Sequence, residues 1–154
     1  MKIILLLCFG AIFFLSCKKK NDSACTPVTA DTEASQIAAF CDANNISYTV
    51  DSNGIYYQVI DKGSGMTPNI NSKITVTYTA STLDGVIVEQ TSTPVSMPLS
   101  EFIEGWRLAL PYIQKGGHIK MVIPSLLAYG CTGIPDRIAP NTPLYYDVVL
   151  LNVE

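Results

Sequence analysis

The chain is short of charge and of the residues that hydrolytic and metal chemistry need. Only 15% of its 154 residues are charged, and it has one histidine. The net charge of −3 leaves no basic excess for binding nucleic acid. No GxSxG, HExxH or phosphate-binding glycine loop occurs, and no histidine or cysteine pair has metal-ligand spacing. We therefore expect no metal, no other cofactor and no nucleic-acid partner. His118 is interpreted as a surface residue, and Glu101 with Glu104 as helix-start acids rather than an acid/base pair.

Long apolar runs are also scarce, and the one that occurs, Ile3–Leu15, lies at the amino terminus after Lys2. Thirteen residues are too few to span a bilayer comfortably, and the pattern is that of a secretory signal. The segment Phe14–Cys17 resembles a bacterial lipobox, which implies cleavage before Cys17 and acylation of that cysteine. Residues 1–16 are then a signal peptide. An ordinary secretory signal, with Cys17 merely near the cut, is the alternative.

Residues 17–30 are polar and predict a tether between the lipidated cysteine and the domain. Lys18, Lys19 and Lys20 would lie beside the lipid headgroups, where basic residues help to hold a segment on an anionic surface. We expect the chain in the bacterial cell envelope, lipid-anchored to the outer membrane with its domain in the periplasm.

Cysteine is present but in no arrangement that suggests redox or zinc chemistry. Of the five, Cys8 leaves with the signal and Cys17 carries the lipid. Cys25, Cys41 and Cys131 remain in a compartment that permits disulfides. Three thiols allow at most one intramolecular bridge, and the sequence leaves the pairing open.

The first part of the domain predicts a helix followed by a hairpin. Asp31 is a candidate cap of a helix that ends at Asn44–Asn45. Two alternating stretches, Ile46–Val50 and Ile55–Ile60, flank a turn sequence and predict paired strands. We treat residues 31–65 as a helix-and-hairpin extension.

The remainder, residues 66–154, is mostly strand, with one helix predicted over Ile103–Ile113 that Pro111 should kink or shorten. A single amphipathic helix and a sheet with one apolar face must cover each other. The predicted fold is therefore α+β: a curved antiparallel sheet, a half-barrel, wrapped around one short helix. The predicted strands are Ile74–Thr79, Val86–Glu89, His118–Pro124 and Leu144–Val153.

Aromatic and branched apolar residues recur beside the predicted turns, and they include Tyr78, Phe102, Trp106, Tyr129 and Tyr146. An apolar cavity that contains a few polar groups is the usual form of a small-molecule or peptide binding site. The alternative is that Trp106 and the tyrosines are plain core.

Five short blocks carry a more specific pattern. They are Val76–Thr79 (VTYT), Leu83–Gly85 (LDG), Phe102–Trp106 (FIEGW), Ile123–Gly130 (IPSLLAYG) and Pro140–Asp147 (PNTPLYYD). In their order and spacing these blocks resemble the FKBP-type peptidyl-prolyl cis-trans isomerases over about residues 73–154. The fold of that family, an antiparallel half-barrel around one helix, agrees with the architecture predicted above.

The resemblance implies a proline pocket. Trp106 matches its floor, the backbone N–H of Ile103 and the hydroxyl of Tyr129 match donors to substrate carbonyls, and Tyr78 completes the catalytic set. Further substrate-binding positions are Val88, Glu89, Val95, Phe102, Ile138 and Tyr146. Val88 stands where the family commonly has phenylalanine, Glu89 where it has aspartate, and Val95 aligns with another wall aromatic.

The resemblance also implies an activity. We expect a monomeric, lipid-anchored peptidyl-prolyl isomerase that acts on proline-containing segments of exported proteins. Because two wall aromatics are missing at Val88 and Val95, the alternative is a weakly active or inactive module that binds a proline-bearing segment of an envelope partner.

Overall fold

The structure, a computed structural model, describes residues 25–154. The predicted signal peptide, the predicted lipidation site Cys17 and the first part of the tether lie outside these residues. Among residues 25–154, no helix has the length and apolar character needed to cross a membrane. The described residues form two α-helices, α1 (Ala30–Ala43) and α2 (Glu104–Ala109). The strands are β1 (Thr49–Val50), β2 (Tyr56–Asp61), β3 (Lys73–Thr82), β4 (Ile87–Gln90), β5 (Val95–Pro98), β6 (His118–Ile123) and β7 (Leu144–Val153).

The strands form one seven-stranded sheet in which every pairing is antiparallel. The order is β1-β2-β6-β7-β3-β4, and β5 also pairs with β3. The predicted α+β class and the antiparallel sheet are confirmed, as are both strands of the hairpin. β5 is a strand that the sequence analysis did not predict. Since β2 pairs with β6, the boundary predicted between residues 65 and 66 does not coincide with a break in the sheet.

α2 lies against one face of the sheet and is shorter than predicted. Its α-helical part ends at Ala109, and Leu110–Tyr112 form a 3₁₀ turn that contains Pro111. The predicted shortening at proline is therefore confirmed. Gly105 brings the helix close to β6, because a Cβ added there would lie 2.4 Å from Cγ2 of Ile123.

α1 covers the opposite face of the sheet. In β6, Val122 belongs to the small core of α1 with Ile37 and Cys41, whereas Met121 and Ile123 belong to the main core. Successive residues of a strand point to opposite faces, so β6 is buried on both sides. Burial, with the nearby Asp42, raises the pKa of the Cys41 thiol to about 11.

Two expectations about single residues were wrong. α1 begins at Ala30 with Thr29 in the N-cap position, so Asp31 lies in the first turn, where its charge favours the helix dipole. His118 is not a simple surface residue: it is partly buried, and its Nε2 lies 2.5 Å from Oδ1 of Asp147 on the neighbouring strand.

The described end of the predicted tether is attached to the domain. Cys25 forms a disulfide with Cys131, 106 residues later, which resolves the pairing that the sequence left open. The side-chain amide of Asn141 donates a hydrogen bond to the Thr26 carbonyl at 3.2 Å. Residues 25–29 therefore run along the surface of the domain before α1 begins.

Candidate active site

A cavity of about 260 Å³ opens beside α2 and is surrounded mainly by aromatic and apolar side chains. Its lining residues are Tyr78, Glu89, Met97, Glu101, Phe102, Ile103, Trp106, Tyr129 and Tyr146. A larger cavity of about 420 Å³ lies between α1 and the β3–β4 turn, but it has no aromatic lining and includes Gln36, Asp84 and Arg137. The smaller cavity is the one that can enclose an apolar ring.

Trp106 is the central ring of this cavity and is 1% exposed. Phe102, one helical turn earlier, stacks on the indole with centroids 4.7 Å apart and planes at 10°. Tyr78 and Tyr146 meet the indole edge-on, at centroid distances of 5.0 Å and 5.4 Å. Rings held on several sides keep one orientation. Trp106 therefore belongs both to the core and to the cavity wall, so the two sequence-level alternatives do not exclude each other.

Neighbouring strands bring the two tyrosines to the same place. Tyr78 lies on β3 and Tyr146 on β7, where Tyr78 is opposite Val148 and Tyr146 is opposite Ala80. The two tyrosines are thus a diagonal pair on one face of an antiparallel ladder, within reach of each other. Their ring centroids are 6.4 Å apart.

The tyrosine hydroxyls of the cavity have raised pKa values. Burial raises the pKa of Tyr78 and Tyr146 well above the ordinary value, and Glu89 raises that of Tyr78 further. The pKa of Tyr129 is also raised, first by burial and then by the negative charge of Glu89. At neutral pH all three hydroxyls are therefore uncharged and able to donate a hydrogen bond.

Ile103 offers a backbone donor at the edge of the cavity. It is the N-cap residue of α2, with φ −57° and ψ 157°, and its carbonyl accepts the N–H of Trp106 at 3.1 Å. Within residues 25–154, no group accepts a hydrogen bond from the Ile103 N–H. This N–H is free to bind the carbonyl of a peptide.

Tyr129 reaches the cavity from a compact turn that follows β6. A 3₁₀ turn at Ser125–Leu127 starts this segment, and Gly130 continues it with φ +57°, a conformation that glycine adopts without strain. The Gly130 N–H donates to the Ser125 carbonyl at 2.8 Å. The Ala128 N–H donates to the same carbonyl at 3.0 Å, so the backbone is held on both sides of Tyr129.

Residues 65–151, more than half of the chain, match the family of FKBP-type peptidyl-prolyl cis-trans isomerases. The chain belongs to this family. It is 42% identical over 100 residues to FkpA of Escherichia coli, an FKBP-type peptidyl-prolyl cis-trans isomerase; that stretch is 63% of this chain and 37% of FkpA. The crystal structure of FkpA superposes with a TM-score of 0.69 at 34% identity, covering 81% of this chain and 62% of that one.

Two other relatives differ in how much of their length is shared. The outer membrane protein MIP of Legionella longbeachae is 31% identical over 100 residues, 63% of this chain and 43% of that protein. The crystal structure of a peptidyl-prolyl cis-trans isomerase from Pseudomonas syringae superposes with a TM-score of 0.70 at 29% identity, covering 84% of this chain and 98% of that one. The stretches that match in sequence thus cover less than half of FkpA and of MIP.

The structure brings together most of the FKBP-type positions predicted from the sequence. Tyr78, Ile103, Trp106, Tyr129, Glu89, Phe102 and Tyr146 all line the cavity. Val88, Val95 and Ile138 do not: Val88 and Val95 are half-buried against the main core, and Ile138 is 5% exposed within it.

Two lining residues were missed by the sequence analysis. Met97 lies on β5, and its alternation with Val95 on one face is a strand signal that Pro94 and Pro98 interrupt. Glu101 was interpreted only as a helix-start acid, although it belongs to the 3₁₀ turn Leu99–Glu101 that precedes α2. In the described part of the chain, no group of three or more histidine, cysteine or acidic residues is arranged to hold a metal ion.

Proposed function

We propose that the chain is a peptidyl-prolyl cis-trans isomerase that is lipid-anchored in the bacterial envelope and acts on proline-containing segments of exported proteins. The observation that carries the proposal is the cavity on Trp106, with the unpaired N–H of Ile103 and the protonated hydroxyl of Tyr129 at its edge. An apolar cavity flanked by two donors suits a pyrrolidine ring whose neighbouring carbonyls must be held.

The reaction requires no covalent step. A prolyl peptide interconverts over a barrier of about 18–20 kcal/mol, because twisting the C–N bond destroys amide resonance. The planar amide separates charge and is favoured by water, so transfer into a dry cavity raises its energy relative to the twisted form. Only interactions that are stronger in the twisted form accelerate the reaction.

Six of the cavity residues have a role in this scheme. The stacked rings of Trp106 and Phe102, with Tyr78 and Tyr146 edge-on, supply the dry surface on which the proline ring lies. Ile103 N–H holds one substrate carbonyl while the chain beyond it rotates. The Tyr129 hydroxyl, which is protonated at neutral pH, holds a second carbonyl.

The envelope location is supported by the lipobox-like sequence at Phe14–Cys17 and by a relative that is named an outer membrane protein. Because Cys25 is bonded to Cys131, the proposed lipid on Cys17 lies eight residue steps from the domain surface (25 − 17 = 8). Eight residues reach at most about 29 Å at about 3.6 Å each. The proposed anchor would thus hold the Tyr129 loop near the membrane surface.

The activity is tested by isomerisation of a proline-containing peptide with the purified full chain. Tyr129→Phe removes the proposed donor and keeps the ring, and we expect kcat/KM to fall about tenfold, which is about 1.4 kcal/mol. Tyr112→Phe is the matched control, since its hydroxyl bonds Asp51 at 3.1 Å outside the cavity. Tight peptide binding by the wild-type chain without rate enhancement would favour the alternative, a proline-binding module.

The alternative, a weakly active or inactive module that binds a proline-bearing segment, is motivated by Val88. This residue is smaller than the phenylalanine that the family resemblance places there. Val88 is half-buried against the main core, whereas its neighbour Ile87 is 58% exposed. If the small side chain admits water, Val88→Phe should raise kcat/KM about threefold to tenfold, up to about 1.4 kcal/mol. Ile87→Phe adds the same ring to the solvent side and should change nothing. An unchanged or lower kcat/KM for Val88→Phe would show that this wall does not limit the rate.

A further inference from the structure

Glu33 is a buried acid that the proposed reaction does not use. It lies in the first turn of α1, 2% exposed, and its Oε2 accepts the backbone N–H of Ser125 at 2.7 Å. Its other oxygen, Oε1, is buried without a hydrogen-bond partner in the described part of the chain, and so is Oγ of Ser125. Burying a carboxylate with one oxygen unpaired is costly. Asp31, in the same turn, is exposed and shows that α1 can carry an acid without that cost.

Ser125, the residue that binds Glu33, also binds the turn that carries Tyr129. The Ser125 carbonyl accepts two backbone N–H groups, from Ala128 at 3.0 Å and from Gly130 at 2.8 Å. These are the residues immediately before and after Tyr129. The backbone of Ser125 therefore links the Glu33 carboxylate, bound by its N–H, to both sides of Tyr129, bound by its carbonyl.

A second attachment acts on the same turn from the other end. Cys131, two residues after Tyr129, is bonded to Cys25, which precedes α1. The turn is thus held between two points of the amino-terminal segment. Both points lie outside residues 65–151, the part of the chain that matches the family.

We propose that Glu33 is a positioning residue for Tyr129: its carboxylate fixes Ser125, and the Ser125 carbonyl fixes the peptide groups that flank the tyrosine. Through this contact α1, on the far face of the sheet, sets the geometry of the cavity edge. The effect on turnover rests on the function proposed above, whereas the effect on the turn itself does not.

The test compares three variants of the full chain. Glu33→Met keeps an unbranched side chain of similar size but removes the acceptor, Glu33→Gln keeps a neutral acceptor, and Asp31→Ala removes an exposed acid from the same helical turn. We expect kcat/KM to fall roughly tenfold in Glu33→Met, mainly through kcat, because a displaced group beside the reacting bond costs rate. Glu33→Gln should lose about twofold to threefold, and Asp31→Ala should match the wild type.

Each variant is also made in the Tyr129→Phe background. If Glu33 acts through Tyr129, the two losses are not additive, and Glu33→Met should then cost less than about twofold. An equal loss in both backgrounds, or no loss in either, would overturn the proposal. Should Glu33→Met fail to fold, the same comparison is made with Glu33→Gln, whose smaller loss must also vanish in the Tyr129→Phe background.

Amide hydrogen exchange provides a readout without turnover. The N–H groups of Ala128 and Gly130 should exchange at least severalfold faster in Glu33→Met than in Asp31→Ala, because their common acceptor is no longer fixed. An inactive wild-type chain would refute the proposed function and leave this measurement intact. Unchanged exchange at both amides would refute the role of Glu33.

Discussion

Trp106→Leu is expected to lower kcat/KM about 100-fold while the chain remains folded. The substitution removes the ring on which Phe102 stacks and against which Tyr78 and Tyr146 pack edge-on. Loss of about 100 Å² of dry aromatic surface, at about 25 cal/mol per Å², amounts to about 2.5 kcal/mol. That is close to the free energy of a 100-fold change in rate. Peptide isomerisation measured with the full chain checks this expectation.

The control for Trp106→Leu must lose core packing without touching the cavity. Leu110 is fully buried in the same core cluster, one turn further along the chain, and does not line the cavity. Leu110→Ala should destabilise the fold by about 2–5 kcal/mol, as large-to-small core changes do, yet keep kcat/KM within about twofold under conditions where it is folded. Equal losses of activity in both variants would mean that Trp106 acts through fold stability and not as the floor of a proline site.

The fold was predictable wherever the spacing of apolar residues and the positions of turn or helix-breaking residues indicated the same element. β7 alternates apolar residues at Leu144, Tyr146 and Val148, and the structure buries all three. Pro111 ended α2 for a local steric reason that any proline inside a helix imposes. β5 was missed because prolines bound it on both sides, and strand propensity falls at proline. What makes β5 a strand is its long-range pairing with β3, which no local pattern contains.

Seven of the predicted site residues line the cavity, but the contacts that support them could not be predicted from the sequence. Trp106 and Tyr129 stand in distinctive blocks, whereas Glu33 looks like any first-turn acid until the contact with Ser125 is seen. That contact spans 92 residues. A long-range hydrogen bond between two common residue types has no sequence period, so sequence reasoning could not find it. The Cys25–Cys131 pairing is of the same kind.

Loss of the Cys25–Cys131 disulfide is expected to lower the free energy of unfolding by about 2–5 kcal/mol. The bridge joins residues 106 positions apart, and in the loop-entropy description a longer closed loop restricts the unfolded chain more. For a domain of this size, each kcal/mol shifts Tm by about 2–4 °C. Thermal unfolding with and without a reductant should therefore differ by several degrees, and Cys25→Ser should unfold near the temperature of the reduced wild type.

The control for the disulfide is the effect of the reductant on Cys25→Ser, which has no bridge to lose and should keep its Tm. Measuring kcat/KM separates an effect of the bridge on the Tyr129 turn from its effect on the stability of the whole fold. Cys131 lies two residues after Tyr129, so opening the bridge frees the turn that carries the proposed donor. We expect reduction to lower kcat/KM even at temperatures far below Tm, where the chain is still folded. A reduced chain with a lower Tm and an unchanged kcat/KM would confine the bridge to fold stability, and the contact between Glu33 and Ser125 would then suffice to hold Tyr129 in place.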